Sequence, residues 1–223
     1  MTRFLTKAYY LFREFTAPPE EKGSYSAGWW PYKIRMETIR LLSKKKGLLL
    51  DIGCGEGLML SKFIKNKVNL KTIVIDNSCR SLLKAKGRIE KYNRPEIIFL
   101  MSDANKLCFK PNSFDVCICL NFFLALSSEK EAEDIFTEIS KVLKPKGKLI
   151  FDIRNSKNML LHLKYKLARF YDVTIVNQPL RMDSPLKIRQ MLLLSGFKIN
   201  QEIGIGFFVK DFCPAILIEA EKI

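Results

Sequence analysis

Asp51 and the three glycines at 53, 55 and 57 are the residues whose types and spacing specify chemistry most directly. Leu48, Leu49 and Leu50 lead into the acid, Cys54 and Glu56 alternate with the glycines, and a helix-compatible apolar stretch follows. The pattern reads as strand, tight turn, helix. Glycine supplies backbone conformations closed to residues with a Cβ and lets a ligand approach the main chain closely. The N–H groups of the first helical turn suit a carboxylate or a phosphate. Asp51 shifts that preference, because a carboxylate at the strand end repels a pyrophosphate and attracts an ammonium or sulfonium group. A dinucleotide-binding G-x-G-x-x-G run needs glycine at position 58, where Leu58 stands.

The elements that must position these residues follow from the rest of the pattern. KTIVID, residues 71–76, reads as a short buried strand ending in Asp76, nineteen residues beyond Gly57. That separation presents a carboxylate at the end of a second parallel strand, within reach of a ribose. The rhythm repeats with helices over 58–66 and 79–92, a strand over 96–101 and Asp103 just beyond it. A fourth strand, FDVCICL at 114–120, is apolar almost throughout, as a strand covered on both faces should be. A helix over 129–143 is stopped by Lys144-Pro145-Lys146-Gly147, and a fifth strand occupies 148–153. Alternation of this kind predicts a parallel α/β sheet.

Beyond residue 155 the rhythm breaks. A helix over 156–171 carries Leu160, Leu163, Leu167 and Phe170 on one side, with Lys157, Lys164 and Arg169 largely off it. An apolar, β-branched stretch covers 172–176, a helix covers 186–194 and ends at Ser195-Gly196, and strands fit 197–203 and 215–220 with their direction left open. The chain opens with Phe4, Tyr9, Tyr10, Phe12 and Phe15, then Pro18-Pro19, then Tyr25, Trp29 and Trp30. Helices are expected over 7–15 and 33–43, and this aromatic segment either caps the glycine turn or packs on the core.

A chain of 223 residues with 48% hydrophobic and 27% charged residues has the composition of one folded domain, not of a disordered chain. The net charge of +15 and pI near 9.6 permit binding to nucleic acid, anionic lipid or an acidic substrate, or a lysine-rich solvated surface, without choosing among them. The six cysteines form no C-x-x-C pair and read as small core residues in a reducing compartment, so the expected location is the cytoplasm. His162 is the sole histidine, which disfavours a zinc site, and no apolar run reaches membrane-spanning length.

Six segments in order resemble class I S-adenosylmethionine-dependent methyltransferases of the ubiquinone- and menaquinone-biosynthesis type: LLLDIGCGEG, VIDNS, SDANKLCF, NSFDVCICLN, LKPKGKLIF and SGF at 195–197. The resemblance implies a doubly wound, mostly parallel, seven-stranded Rossmann-like sheet with helices on both faces and an antiparallel last strand. It implies that Asp51 and the backbone at Gly53, Cys54, Gly55 and Gly57 hold the methionine end of S-adenosylmethionine, and that Asp76 takes the ribose. Asn77 would lie beside the adenine, Asp103 and Ala104 at its edge, and Leu120 and Asn121 near the sulfonium. Lys146 stands where the family usually has a glycine, so the turn before the fifth strand should be tighter or shifted. Asn121 is followed by Phe122 and Phe123 and not by Pro-Pro-Tyr, which argues against amino-group methylation of adenine or glutamine by that known arrangement.

The expected organisation is a single methyltransferase domain over 1–223: a cap at 1–45, the cofactor-binding half at 46–154, a cap insertion at 155–185 and a C-terminal part at 186–223. Methyl transfer from a sulfonium depends chiefly on orientation, and a base is needed only where the acceptor must lose a proton; His162 is the candidate. The expected acceptor is small or lipid-like; the helix over 156–171 could lie on an anionic membrane, face a phosphorylated or nucleic-acid substrate, or be an ordinary cap with its lysines in water. RNA is the alternative that the charge suggests, and a binding protein without turnover is another.

Overall fold

A computed structural model of the chain describes residues 6–7, 11, 15–24, 26–168, 170, 179–206 and 212–223. The helix expected over 7–15 falls largely outside the described residues, as do Phe4, Tyr25 and the whole of the 172–176 stretch.

Seven strands form one sheet in the order β3-β2-β1-β4-β5-β7-β6. They are β1 (Leu48–Ile52), β2 (Lys71–Asp76), β3 (Ile97–Met101), β4 (Phe114–Cys119), β5 (Leu143–Arg154), β6 (Phe197–Ile205) and β7 (Ala215–Lys222). The first five run parallel, and β7 lies antiparallel between β5 and β6. The seven-stranded sheet with its antiparallel last strand is the expected one, and the directions left open by the sequence are thereby settled. The strand order reverses at β1, between β2 and β4, which places a ligand crevice at the carboxyl ends of those strands.

Alternate residues of the inner strands enter two cores. Leu49, Val74, Val116, Ile118 and Ile150 face α1 (Trp29–Leu42), α2 (Leu58–Lys65) and α3 (Cys79–Glu90). Leu50, Cys117, Cys119, Leu149 and Phe151 face α4 (Glu129–Val142) and α6 (Pro185–Leu194). On that second side Phe123 stacks on Phe136 at 4.8 Å between centroids, and Phe151 lies 5.1 Å from Phe123. This aromatic cluster anchors the end of β4, where the family resemblance would put the sulfonium.

Helix starts are specified locally. Ser128 Oγ accepts from the Glu131 N–H at 3.1 Å, and Glu131 reaches back to the Ser127 N–H at 2.7 Å. Gly57 begins α2 in the left-handed region, at φ 72°, and a Cβ there would lie 2.8 Å from Ala85 Cα of α3. Position 57 must be glycine for both reasons.

The four residues Lys144 to Gly147 do not form a separate turn. They bulge within β5, whose pairing with β4 jumps from Phe114↔Leu143 to Val116↔Lys148. Lys146 takes φ 63°, a conformation that a glycine would adopt without strain. α1 also starts earlier than expected, at Trp29, because Pro31 falls in its first turn, where proline lacks no partner.

Candidate functional site

A cavity of about 1060 Å³ opens at the carboxyl ends of β1, β2, β4 and β5. Its floor is the glycine turn. Asp51 is 3% exposed, lines the cavity, and keeps Oδ2 buried with no hydrogen-bond partner among the described residues. Burial, reinforced by the charge of Asp76, pushes its carboxyl up to about 7. A buried acid in this state is stabilised by an incoming cation.

Asp76 ends β2 with both oxygens engaged: Oδ2 accepts from the Gly55 N–H at 2.9 Å and Oδ1 from the Ser78 N–H at 2.9 Å. Ser78 in turn caps α3. These bonds orient the carboxylate, which lines the cavity and keeps acceptor capacity for hydroxyl groups.

The N–H groups of the turn are spent within the protein. Gly53 and Cys54 donate to the Ile75 carbonyl at 2.8 and 3.1 Å, and Gly55 donates to Asp76. The turn therefore offers close approach and carbonyl oxygens, which suit an ammonium, and not a nest for a carboxylate. A Cβ at Gly53 would lie 2.5 Å from Phe122 Cδ2, so this ring fixes residue 53 as glycine. Burial, with Asp51 and Asp76 beside it, raises the Cys54 thiol far above its usual range, which rules it out as a thiolate nucleophile at neutral pH.

Arg35 supplies what the turn does not. It is 3% exposed and lines the cavity from α1, with its Nε and Nη2 on Glu21. Nη2 also reaches the Ser26 carbonyl at 3.5 Å, and Nη1 donates to no described residue, which leaves one donor of this cavity-lining guanidinium for a ligand. Glu21 also binds Lys62 Nζ at 3.2 Å, and Glu20 binds it at 2.7 Å. Lys62 is buried in α2, 4.6 Å from the Tyr32 ring. This ion cluster fastens the segment before α1 to the helix that follows the glycine turn.

At the opposite wall Asn121 follows β4 in the left-handed region, at φ 53°. Its N–H donates to Asp152 Oδ1 at 2.6 Å, and its Oδ1 accepts from Arg154 Nη2 at 2.5 Å. Arg154 Nη1 donates to Asp152 Oδ2 at 2.6 Å. A guanidinium has only donors, so the amide oxygen of Asn121 must face Arg154. The amide nitrogen has no partner among the described residues and is left for the cavity that Asn121 lines.

Of the residues singled out from the sequence, Asp51, Gly53, Cys54, Gly55, Asp76, Asn77, Leu120 and Asn121 come together on this cavity. Gly57 does not reach it and serves helix packing instead. Asp103 and Ala104 lie one strand further out, outside the lining; Asp103 is exposed and accepts from the Asn105 N–H and side chain. His162 is exposed on α5 (Met159–Ala168), with Nε2 2.7 Å from the Ser156 carbonyl, and is not brought to the cavity. Glu56, which alternates with the glycines, also lines the cavity; its side chain is 14% exposed and pairs with Lys84 at 2.6 Å. Arg35, Asp152 and Arg154 are not among the residues that the sequence motifs single out. The only signal for the last two was a pair of charges at alternate positions in an otherwise apolar strand, FDIR.

Residues 49–147 match the family model described as a methyltransferase domain. An uncharacterised protein of Methanocaldococcus jannaschii, MJ1252, is 34% identical over 220 residues, covering 85% of this chain and 82% of that protein. The ubiquinone/menaquinone biosynthesis C-methyltransferase of Pseudomonas fluorescens is 27% identical over 160 residues, covering 70% of this chain; the chain spans only 59% of that enzyme's length. The solved structure of a Haemonchus contortus phosphoethanolamine N-methyltransferase in complex with S-adenosyl-L-methionine matches with a TM-score of 0.69 and 16% identity, covering 97% of this chain and 57% of that chain. The chain belongs to the S-adenosylmethionine-dependent methyltransferases. Its relatives include the ubiquinone- and menaquinone-biosynthesis type that the six sequence segments resemble.

Proposed function

We propose that the chain binds S-adenosylmethionine in this cavity and catalyses transfer of its methyl group to a small or lipid-like acceptor. The observation that carries the reading is the orphaned carboxylate oxygen of Asp51 beside the glycine turn and Asp76, a site built for a cation next to a ribose. The residues fit the cofactor in kind. Asp51 and the turn carbonyls would hold the ammonium, Arg35 Nη1 the carboxylate, Asp76 the ribose hydroxyls, and Asn77 would flank the base. The family roles of Asp103 and Ala104 at the adenine edge are retained as a proposal for the outer rim.

The bound cofactor supplies an electrophilic methyl on sulfur, open to in-line displacement. The chain's contribution is then to orient the acceptor and exclude water. Leu120, Leu124, Ala168, Leu180 and the two tryptophans Trp29 and Trp30 give the remaining wall an apolar, aromatic surface. Asn121 Nδ2 is a fixed donor at the end of β4, where it favours an acceptor with a carbonyl or oxyanion next to the methylated atom. Asn121 Oδ1 is turned toward Arg154, so the amide presents its donor end to the acceptor. That preference supports carbon or oxygen methylation over amine methylation. It agrees with the C-methyltransferase among the relatives.

The test is release of S-adenosylhomocysteine from the purified chain supplied with lipid, small-molecule and RNA pools of a cell extract. Turnover with the lipid or small-molecule pool is expected. Product with the RNA pool alone, or binding without release in any pool, would overturn the acceptor assignment.

A further inference from the structure

α5 is buried on one side and apolar on the other. Leu161 and Ala168 are buried against the body of the protein, and Tyr165 borders the cavity. On the outward side Met159 is 82% exposed, Leu160 60%, Leu163 53%, Leu167 46% and, in the turn beyond the helix, Phe170 64%. At about 100° per residue Met159, Leu160, Leu163 and Leu167 occupy one arc of roughly 100° on the helix. Exposed His162 and Lys166 border the arc on one side; half-buried Lys164, its Nζ 4.6 Å from the Trp30 ring, borders it on the other, and exposed Lys157 lies in the turn just before the helix. A soluble surface helix shows the reverse arrangement, with polar residues outward. An apolar stripe between two basic margins is what a helix lying in a membrane interface presents.

We propose that this face of α5 docks on an anionic lipid surface. Two further observations favour lipid over a protein partner. The net charge of +15 attracts the whole chain to an anionic bilayer, and lysines at the margins of the stripe lie at the depth of lipid headgroups when the leucines enter the acyl region. Lys164, Tyr165 and Ala168, on the same helix, line the cavity, so docking brings the mouth of the cavity to the bilayer. The docking stands without any turnover; only its consequence, an acceptor that passes from lipid to cavity without crossing water, rests on the function proposed above.

Flotation of the full chain with phosphatidylcholine vesicles, with and without phosphatidylserine, tests the inference in the absence of cofactor. The chain should float with the phosphatidylserine vesicles, less so as salt rises, and stay behind with phosphatidylcholine alone. The double variant L163E/L167E changes two exposed residues outside the cavity, so its melting temperature and S-adenosylmethionine affinity should match the wild type. Its vesicle affinity should fall by about tenfold or more. K157E/K166E should lose about fivefold per lysine on anionic vesicles. Equal flotation of L163E/L167E and wild type, or failure of the wild type to float at all, overturns the proposal. A dimer in sedimentation velocity that L163E/L167E dissociates would assign the face to a second copy of the chain and overturn it as well.

Discussion

Arg154 Nη2 lies 2.5 Å from Asn121 Oδ1, and this contact decides which end of the amide the cavity sees. Because the guanidinium only donates, the nitrogen of Asn121 is the free end. Replacing Asn121 with alanine should lower kcat by about ten- to hundredfold, in line with the loss of one preorganised donor, while S-adenosylmethionine affinity changes by less than about threefold. Steady-state kinetics with calorimetry on the same preparation separates the two effects. An unchanged kcat would remove Asn121 from the acceptor site.

The Asp51 carboxyl, held near 7 by burial and by Asp76, makes cofactor binding pH-dependent. An incoming cation favours the ionised form, so below about pH 7 binding must expel a proton and should weaken by up to about tenfold per unit of pH. Titrations from pH 5.5 to 8 should show affinity rising and then levelling. Asn at position 51 should flatten the curve and weaken binding at pH 8.

The same raised value acts on folding in the absence of ligand. Stability linked to Asp51 is fully present below its unfolded value near 3.8 and is lost as pH rises through about 7. Asp51→Asn should therefore match the wild type near pH 4 and exceed it at pH 8, by ~4 kcal/mol at most. Urea unfolding at the two pH values measures the difference, and a variant no more stable than wild type at pH 8 would contradict the burial of an uncompensated charge.

Glu21 joins Arg35 and Lys62, two cations that are almost wholly buried. Its loss leaves both short of a counter-charge, so Glu21→Ala should cost about 3–5 kcal/mol in chemical denaturation. Glu21→Gln, which keeps hydrogen bonds but not the charge, should fall between Ala and wild type. Exposed Lys130 and Asp134 form an i,i+4 pair on α4, whose disruption should leave the denaturation midpoint within error of the wild type and provides the control.

Legibility tracked sequence distance. Asp51, the glycine turn and Asp76 could be read because a strand, a turn and a second strand place them through local spacing. The parallel order followed from alternating strands and helices. The directions of β6 and β7 could not be read, because strands of similar composition pair either way and only the partner β5 decides. The Asn121–Asp152–Arg154 contacts join residues more than thirty positions apart, and the Glu21–Arg35–Lys62 cluster joins a short 3-10 turn to two helices; neither leaves a periodic trace. The bulge at 144–147 was hidden for a related reason: Lys-Pro-Lys-Gly has the residues of a helix stop, and only pairing with β4 draws them into the strand.

Calorimetric titration of S-adenosylmethionine into the purified chain at pH 8, wild type beside Asp51→Ala, tests the cradle itself. One site per chain is predicted, with affinity at least about tenfold weaker in the variant, the effect of removing a charged hydrogen-bond partner. No binding by the wild type, or equal binding by both proteins, would contradict the assignment of this cavity to the cofactor.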